Sequence, residues 1–220
     1  MTASLLLATR KPERAAALKT ALQNGGPWLL QAPVHGLVEL RRALVRRKPD
    51  LLLADLTLDD GALLALLRML RSASHLAAAP WRTQVLLLVD NEHDPQLQLA
   101  LQAGADGVHV FDRHTPRSLR EQVAATLERD ASVEPWLAER LLAHFGRDLQ
   151  GRSDVSVAEL SNPLALAPAE RSLLHRLAAG DGLAELASLQ AVSPREITHR
   201  VRQLYRKMQL ALHAGNLSLA

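Results

Sequence analysis

The chain has 220 residues and 48% hydrophobic content, enough for one large packed domain or two small ones. It has no cysteine, which excludes disulfides and thiolate metal sites, and no apolar run near the length that crosses a bilayer, so no membrane partner is expected. Net charge is +3 and uneven: residues 1–128 carry 15 Lys/Arg against 13 Asp/Glu, residues 129–163 carry 4 against 6, and residues 164–220 carry 7 against 4. The last segment is the one suited to an anionic partner.

Residues 4–8 (SLLLA) form a short apolar run, followed by helical spacing over 11–22 and the Asn24-Gly25-Gly26-Pro27 break. The same alternation recurs, with a strand over 28–34 and a helix over 37–47, then a buried strand over 51–55 (LLLAD) and a helix over 61–70. It closes with strands over 84–89 and 107–111, each leading to a helix, over 96–103 and 116–128. Five strand–helix units with short, continuously apolar strands predict an α/β fold in which a parallel sheet is covered on both faces. About 128 residues and five repeats suit a flavodoxin-like doubly wound five-stranded sheet, with ligands beyond the carboxyl ends of the strands. Arg41, Arg42, Arg46, Arg47 and Lys48 cluster on or after the second helix and read as a solvated face.

Residues 129–163 read as a linker, containing a helix near 134–145 (EPWLAERLLAHF) that packs on a domain or a second subunit, then a polar, flexible stretch over 146–162. Residues 164–220 read as a small all-α domain. Leu166, Pro168, Glu170, Leu173, Leu174, Leu177 and Ala178 describe a helix ending at Gly180, and Glu185, Leu186 and Ala187 open a short second helix that stops near Gln190. Ser193, Pro194 and Glu196 give an N-cap, a first-position proline and a capping-box acid. From there Ile197, Val201, Leu204 and Met208 recur on one face, opposite Arg195, Thr198, His199, Arg202 and Arg206. Helix, short helix, turn and basic helix is the order of a helix-turn-helix unit, and a rod about 10 Å wide with cations on one face matches a DNA major groove in width and sign.

At Leu166, Glu170, Leu174, Ala178, Gly180, Glu185, Ala187, Ser193, Ile197, Leu204 and Lys207 the chain resembles the LuxR-type DNA-binding domain. It departs from that pattern at Ala169, Glu196, Arg200 and Gln190. At 49–56 (PDLLLADL) and 103–107 (AGADG) it resembles a response-regulator receiver domain, so that the whole resembles the NarL/FixJ subfamily of response regulators. That resemblance implies a phosphoacceptor at Asp55. It also puts Thr9 and Arg10 where the family holds the acidic pair for Mg²⁺, Val89 where it holds a Ser or Thr, and Phe111 where it holds a Lys. Phosphoryl transfer to a carboxylate needs a divalent ion and cations around the phosphoryl oxygens, so the expected pocket is chemically silent, with Asp55 paired to Arg10. Asp59 and Asp60 are the remaining carboxylates for a rearranged metal site.

The nine histidines show no zinc spacing, and no Gly-rich phosphate loop or GxSxG occurs. No catalytic residue, metal or cofactor is therefore expected, and the location implied by the lack of cysteine and of a signal-peptide layout is cytoplasmic.

By the resemblance, Thr198, His199 and Arg202 would face base edges of double-stranded DNA, and Arg195, Arg200, Arg206 and Lys207 would meet phosphates. A homodimer would form through 96–103, 107–111 and 116–128. The reading from another class is a non-DNA-binding adaptor whose receiver-like domain takes a protein partner. A third keeps DNA binding and adds a small-molecule ligand in the vacated pocket.

Overall fold

The computed structural model describes residues 2–23, 26–76, 83–113, 115–129, 134–150 and 166–217. The chain divides into two compact units, Met1–Arg129 and Asp130–Ala220.

In the first unit β1 (Ala3–Ala8), β2 (Trp28–Leu30), β3 (Leu51–Asp55), β6 (Gln84–Val89) and β7 (Gly107–Val110) form one sheet in the order β2-β1-β3-β6-β7, every neighbouring pair parallel. All of β3 and β6 is buried, as continuous Leu/Val runs demand when helices cover both faces. The helices are α1 (Pro12–Gln23), α2 (Leu37–Arg47), α3 (Leu63–Leu76), α4 (Pro95–Gln102) and α5 (Pro116–Leu127). Leu5, Leu7, Leu51, Leu53, Leu86 and Leu88 pack with Leu18 and Leu22 of α1 and Leu119 and Val123 of α5. The intervening strand residues Leu6, Leu52 and Leu87 are equally buried and point to the opposite face. The strand expected over 28–34 is shorter: it ends at Leu30, after which Gln31 donates to Leu5 O and a bridge joins Val34 to Ala8.

A hairpin of two-residue strands, β4 (Thr57–Leu58) and β5 (Gly61–Ala62), stands where the start of the third helix was expected. Gly61 turns it at φ +144°, a conformation closed to L side chains. The hairpin is stitched to the start of α2. Asp59 donates its amide to the His35 carbonyl, and the Asp60 carboxylate accepts from the amides of Leu37 and Val38. Gly36 precedes α2 with no side chain to cap it, so Asp60 of the hairpin does so, 22 residues beyond the Val38 amide that it accepts from.

The bonds from Val38, then Leu37, hold the Asp60 carboxyl below its ordinary value. Because the folded state binds that proton less readily than the unfolded chain, the stabilisation is present above the ordinary aspartate range and fades as pH falls through the lowered value. Melting curves of wild type and Asp60→Ala will therefore differ at pH 7 and draw together below about pH 4. A gap that stays constant into acid would show that the charge contributes nothing.

The second unit holds α6 (Pro135–Gln150), α7 (Pro168–Ala178), α8 (Leu183–Leu189) and α9 (Pro194–Leu217). The helix expected inside a linker is α6, and it belongs to this unit, packing on α7 and α9 with Trp136, Leu137, Leu141 and Phe145 buried. Most of the polar stretch over 146–162 lies outside the described residues. α7 ends at Gly180, φ +93°, where Gly180 donates to Leu177 O and Asp181 to Arg176 O, the paired bonds of a Schellman cap. The α8–α9 turn repeats that pattern with Ala191 at φ +53°, Ala191 donating to Ser188 O and Val192 to Ala187 O. Ser193 then caps α9, its hydroxyl accepting from the Glu196 amide at 3.2 Å.

Candidate functional site

The carboxyl ends of β1 and β3 lie side by side, Ala8 in register with Ala54, which brings Thr9 beside Asp55. Thr9 is fully buried, and its hydroxyl donates to Asp55 Oδ2 at 2.5 Å. Arg14, one turn into α1, donates from Nη1 to Asp55 Oδ1 at 2.8 Å and from Nη2 to Asp90. Its guanidinium carbon sits 4.5 Å from the centroid of the Phe111 ring, a stacked cation–π geometry. Phe111 in turn meets the edge of buried His109 at 5.0 Å, and His109 Nδ1 bonds the Gln122 side chain. Burial alone would weaken the Arg14 cation, but the bond and charge of Asp55, then of Asp90, hold its proton more tightly than usual.

The partner of Asp55 is thus Arg14, and the expected pairing with Arg10 is not found: Arg10 is exposed. Arg10 directly follows Thr9 at the end of β1, whereas the first turn of α1 aims Arg14 over the strand ends. Each Asp55 oxygen already accepts a hydrogen bond, and a fixed cation lies against the carboxylate. Val89 is buried and carries no hydroxyl, while Phe111 contributes a ring in place of an ammonium. Asp60 is engaged as the cap of α2, which removes it as a metal carboxylate. This donor set does not fit Mg²⁺, which asks for one or two free carboxylates in near-octahedral array.

The second candidate surface is α9. Ile197, Val201, Leu204, Tyr205 and Met208 are buried, and so is Thr198, whose hydroxyl donates to Arg195 O. Thr198 therefore does not face outward as expected. The buried stripe is wider than the four-residue periodicity implied, as a helix packed against two others requires. Burial, then the Glu134 charge, push the Tyr205 phenol well up, so it stays neutral; Glu134 also accepts from the Trp136 indole at 2.6 Å.

Two of the expected phosphate contacts are occupied within the unit. Lys207 Nζ lies 2.6 Å from Glu170 Oε2, the same oxygen that accepts from the Ala167 amide at the start of α7. Arg200 donates to Glu196 at 3.1 Å and to Gln190 Oε1 at 2.6 Å, tying the α8–α9 turn to α9. The remaining expected residues, Arg195, His199, Arg202 and Arg206, recur at intervals of four, three and four. They form a single stripe, with Arg195, His199 and Arg206 exposed and Arg202 half-buried.

Lys207→Ala will accordingly lower the stability of the second unit by about 1–2 kcal/mol, the worth of a partly buried charge-assisted bond. In a DNA titration it will leave the salt dependence unchanged. A fall of about one in the salt slope, with stability unaltered, would restore the phosphate contact.

No protein-family model and no curated protein matches the chain. Among solved structures it is similar to the RcsB response regulator of Salmonella typhimurium, a structure described for conformational dynamism in DNA interaction, with 16% identity, 96% of this chain and 99% of that one covered, and a TM-score of 0.51. A LuxR-family DNA-binding response regulator from Staphylococcus aureus matches over 57% of this chain and 98% of its own, with 14% identity and a TM-score of 0.50. A LuxR-family two-component response regulator from Aurantimonas sp. SI85-9A1 matches over 58% and 86%, with 20% identity and a TM-score of 0.50. At such identities the likeness is one of fold: a five-stranded parallel receiver-type sheet followed by a helical C-terminal region.

Proposed function

We propose that the chain is a sequence-specific DNA-binding transcription regulator of the response-regulator type, whose receiver-like unit works without phosphorylation. The reading rests on the capped helix α9, which presents Arg195, His199, Arg202 and Arg206 as one cationic stripe opposite its buried face. Arg202 and His199 are assigned to base edges, Arg195 and Arg206 to phosphates. Thr198, Arg200 and Lys207 are assigned to holding the unit together. One such helix reads only a few base pairs, so the active form is a homodimer on two half-sites. The Asp55–Arg14 pair supports the silent receiver, because a carboxylate whose oxygens are both engaged is a poor phosphoryl acceptor.

The test is selection of bound duplexes from a random library by the full chain, followed by titration of the preferred sequence. Arg202→Ala will relax base preference at one position and cost about 1–3 kcal/mol if the arginine is bidentate to guanine. Binding that is indifferent to salt and to this substitution would favour the adaptor reading.

A further inference from the structure

Outside both candidate sites, cations gather on α2. Arg41, Arg42 and Arg46 are exposed on the helix and Lys48 is exposed at its C-cap. Among the described residues none of the four enters an ion pair. Lys11, Arg14, Arg113, Arg176, Arg200 and Lys207 have carboxylate partners, whereas Arg10, Lys19, Arg171 and Arg206 enter no ion pair among the described residues; what sets α2 apart is that four such cations share one helix and its C-cap. The acids near α2 are drawn to its opposite end, Glu39 accepting from the His35 amide and Asp60 capping the first turn. Complementing the helix dipole accounts for cations in the last turn, where Arg46 and Arg47 lie, but not for Arg41 and Arg42 in the middle.

We infer that this face of α2 is a second nucleic-acid contact, on the first unit, that engages the phosphate backbone without reading bases. Three of the four cations are arginines, whose planar fork suits phosphate oxygens. Arg42 and Arg46 are four residues apart, about 6 Å along the helix axis, close to the advance of two phosphates on one strand, about 3.4 Å each. A membrane surface suits the face less, since the apolar side of α2 is buried on Leu40, Ala43 and Leu44, and only Val38 and Val45 remain outside. A protein partner suits it less as well, for α2 exposes no aromatic or methionine anchor beside its arginines. The inference extends the DNA-binding reading of α9 and rests on it.

The experiment titrates the full chain with a random-sequence duplex over a range of salt. Each neutralised phosphate contributes about 0.9 to the salt slope, so Arg41→Ala/Arg42→Ala/Arg46→Ala will lower the slope by about two to three, and the triple lysine substitution at the same positions will keep it near wild type. Base preference at the selected site will not change in either variant. An unchanged slope in the alanine variant, while Arg202→Ala still relaxes base preference, overturns this inference and leaves the α9 reading standing. Wild type that fails to bind any duplex overturns the α9 reading first. An alanine variant that keeps its DNA slope but no longer binds phosphatidylglycerol vesicles would assign the patch to a membrane surface and overturn the inference.

Discussion

Asp55→Ala will destabilise the first unit by about 3 kcal/mol, the cost of stranding one member of a buried ion pair. Arg14 has 14% of its side chain exposed and Asp55 8%, and Thr9 has no exposure at all, so removing the carboxylate leaves a guanidinium and a hydroxyl facing each other in a largely buried pocket. Asp90, 60% exposed, holds the guanidinium only from outside. In a pocket built around several close carboxylates the same substitution would relieve repulsion and raise stability, so the sign separates the two architectures. Urea denaturation monitored for the first unit gives the sign directly. In parallel, incubation of wild type with Mg²⁺ and acetyl phosphate will leave the intact mass unchanged. A phosphoryl adduct, or a stabilised alanine variant, would show that Arg14 yields its place to a metal.

Under the proposed function, Leu204→Ala will abolish DNA binding by unfolding the second unit. Leu204 is fully buried on α9, which packs against α8 and α6, and truncating a leucine at such a site costs about 2–5 kcal/mol. A small helical unit has little more than about 5 kcal/mol to lose. The loss will appear as a lowered helical melting transition, with the transition of the first unit unmoved, since the two are separately compact. A single shared transition shifted as a whole would show that the units fold as one. DNA affinity retained with the second unit melted would remove α9 from the interface.

Much of the architecture could be read in advance because its signals are long. The all-buried strands β3 and β6 are runs of Leu and Val that leave little choice but a doubly covered parallel sheet. The Ser193-Pro194-Glu196 triplet marks the start of α9 to within a residue. What escaped is local or three-dimensional. The two-residue strands of the β4–β5 hairpin are too short to carry a period, and the capping role of Asp60 depends on a contact across 22 residues. Arg14 escaped because the resemblance put Arg10 at the family's acidic position and so beside Asp55, while reach across the strand ends depends on the orientation of α1. On α9, the burial of Thr198 and the Glu170 contact of Lys207 escaped because a helix wheel sorts residues by angle without showing how many neighbours surround the helix. With α6, α7 and α8 all in the same unit, the flanks of the apolar stripe are covered too, and Lys207 meets Glu170 there. Glu170 and Lys207 both lie on residues of the LuxR-type resemblance, which was the one signal that could have paired them.

Arg14 also bears on what could vary over time in the cell. A receiver that takes its cation and its phosphoryl group from solution can be loaded and emptied, so its output follows a chemical supply. Here the cation is encoded in the polypeptide and arrives with every copy. Under the proposed function, occupancy of an operator is then governed by how many copies are made and how long they last. For a dimer, that dependence is steeper than first order at low abundance, which shifts control of the target genes to synthesis and proteolysis of the regulator itself.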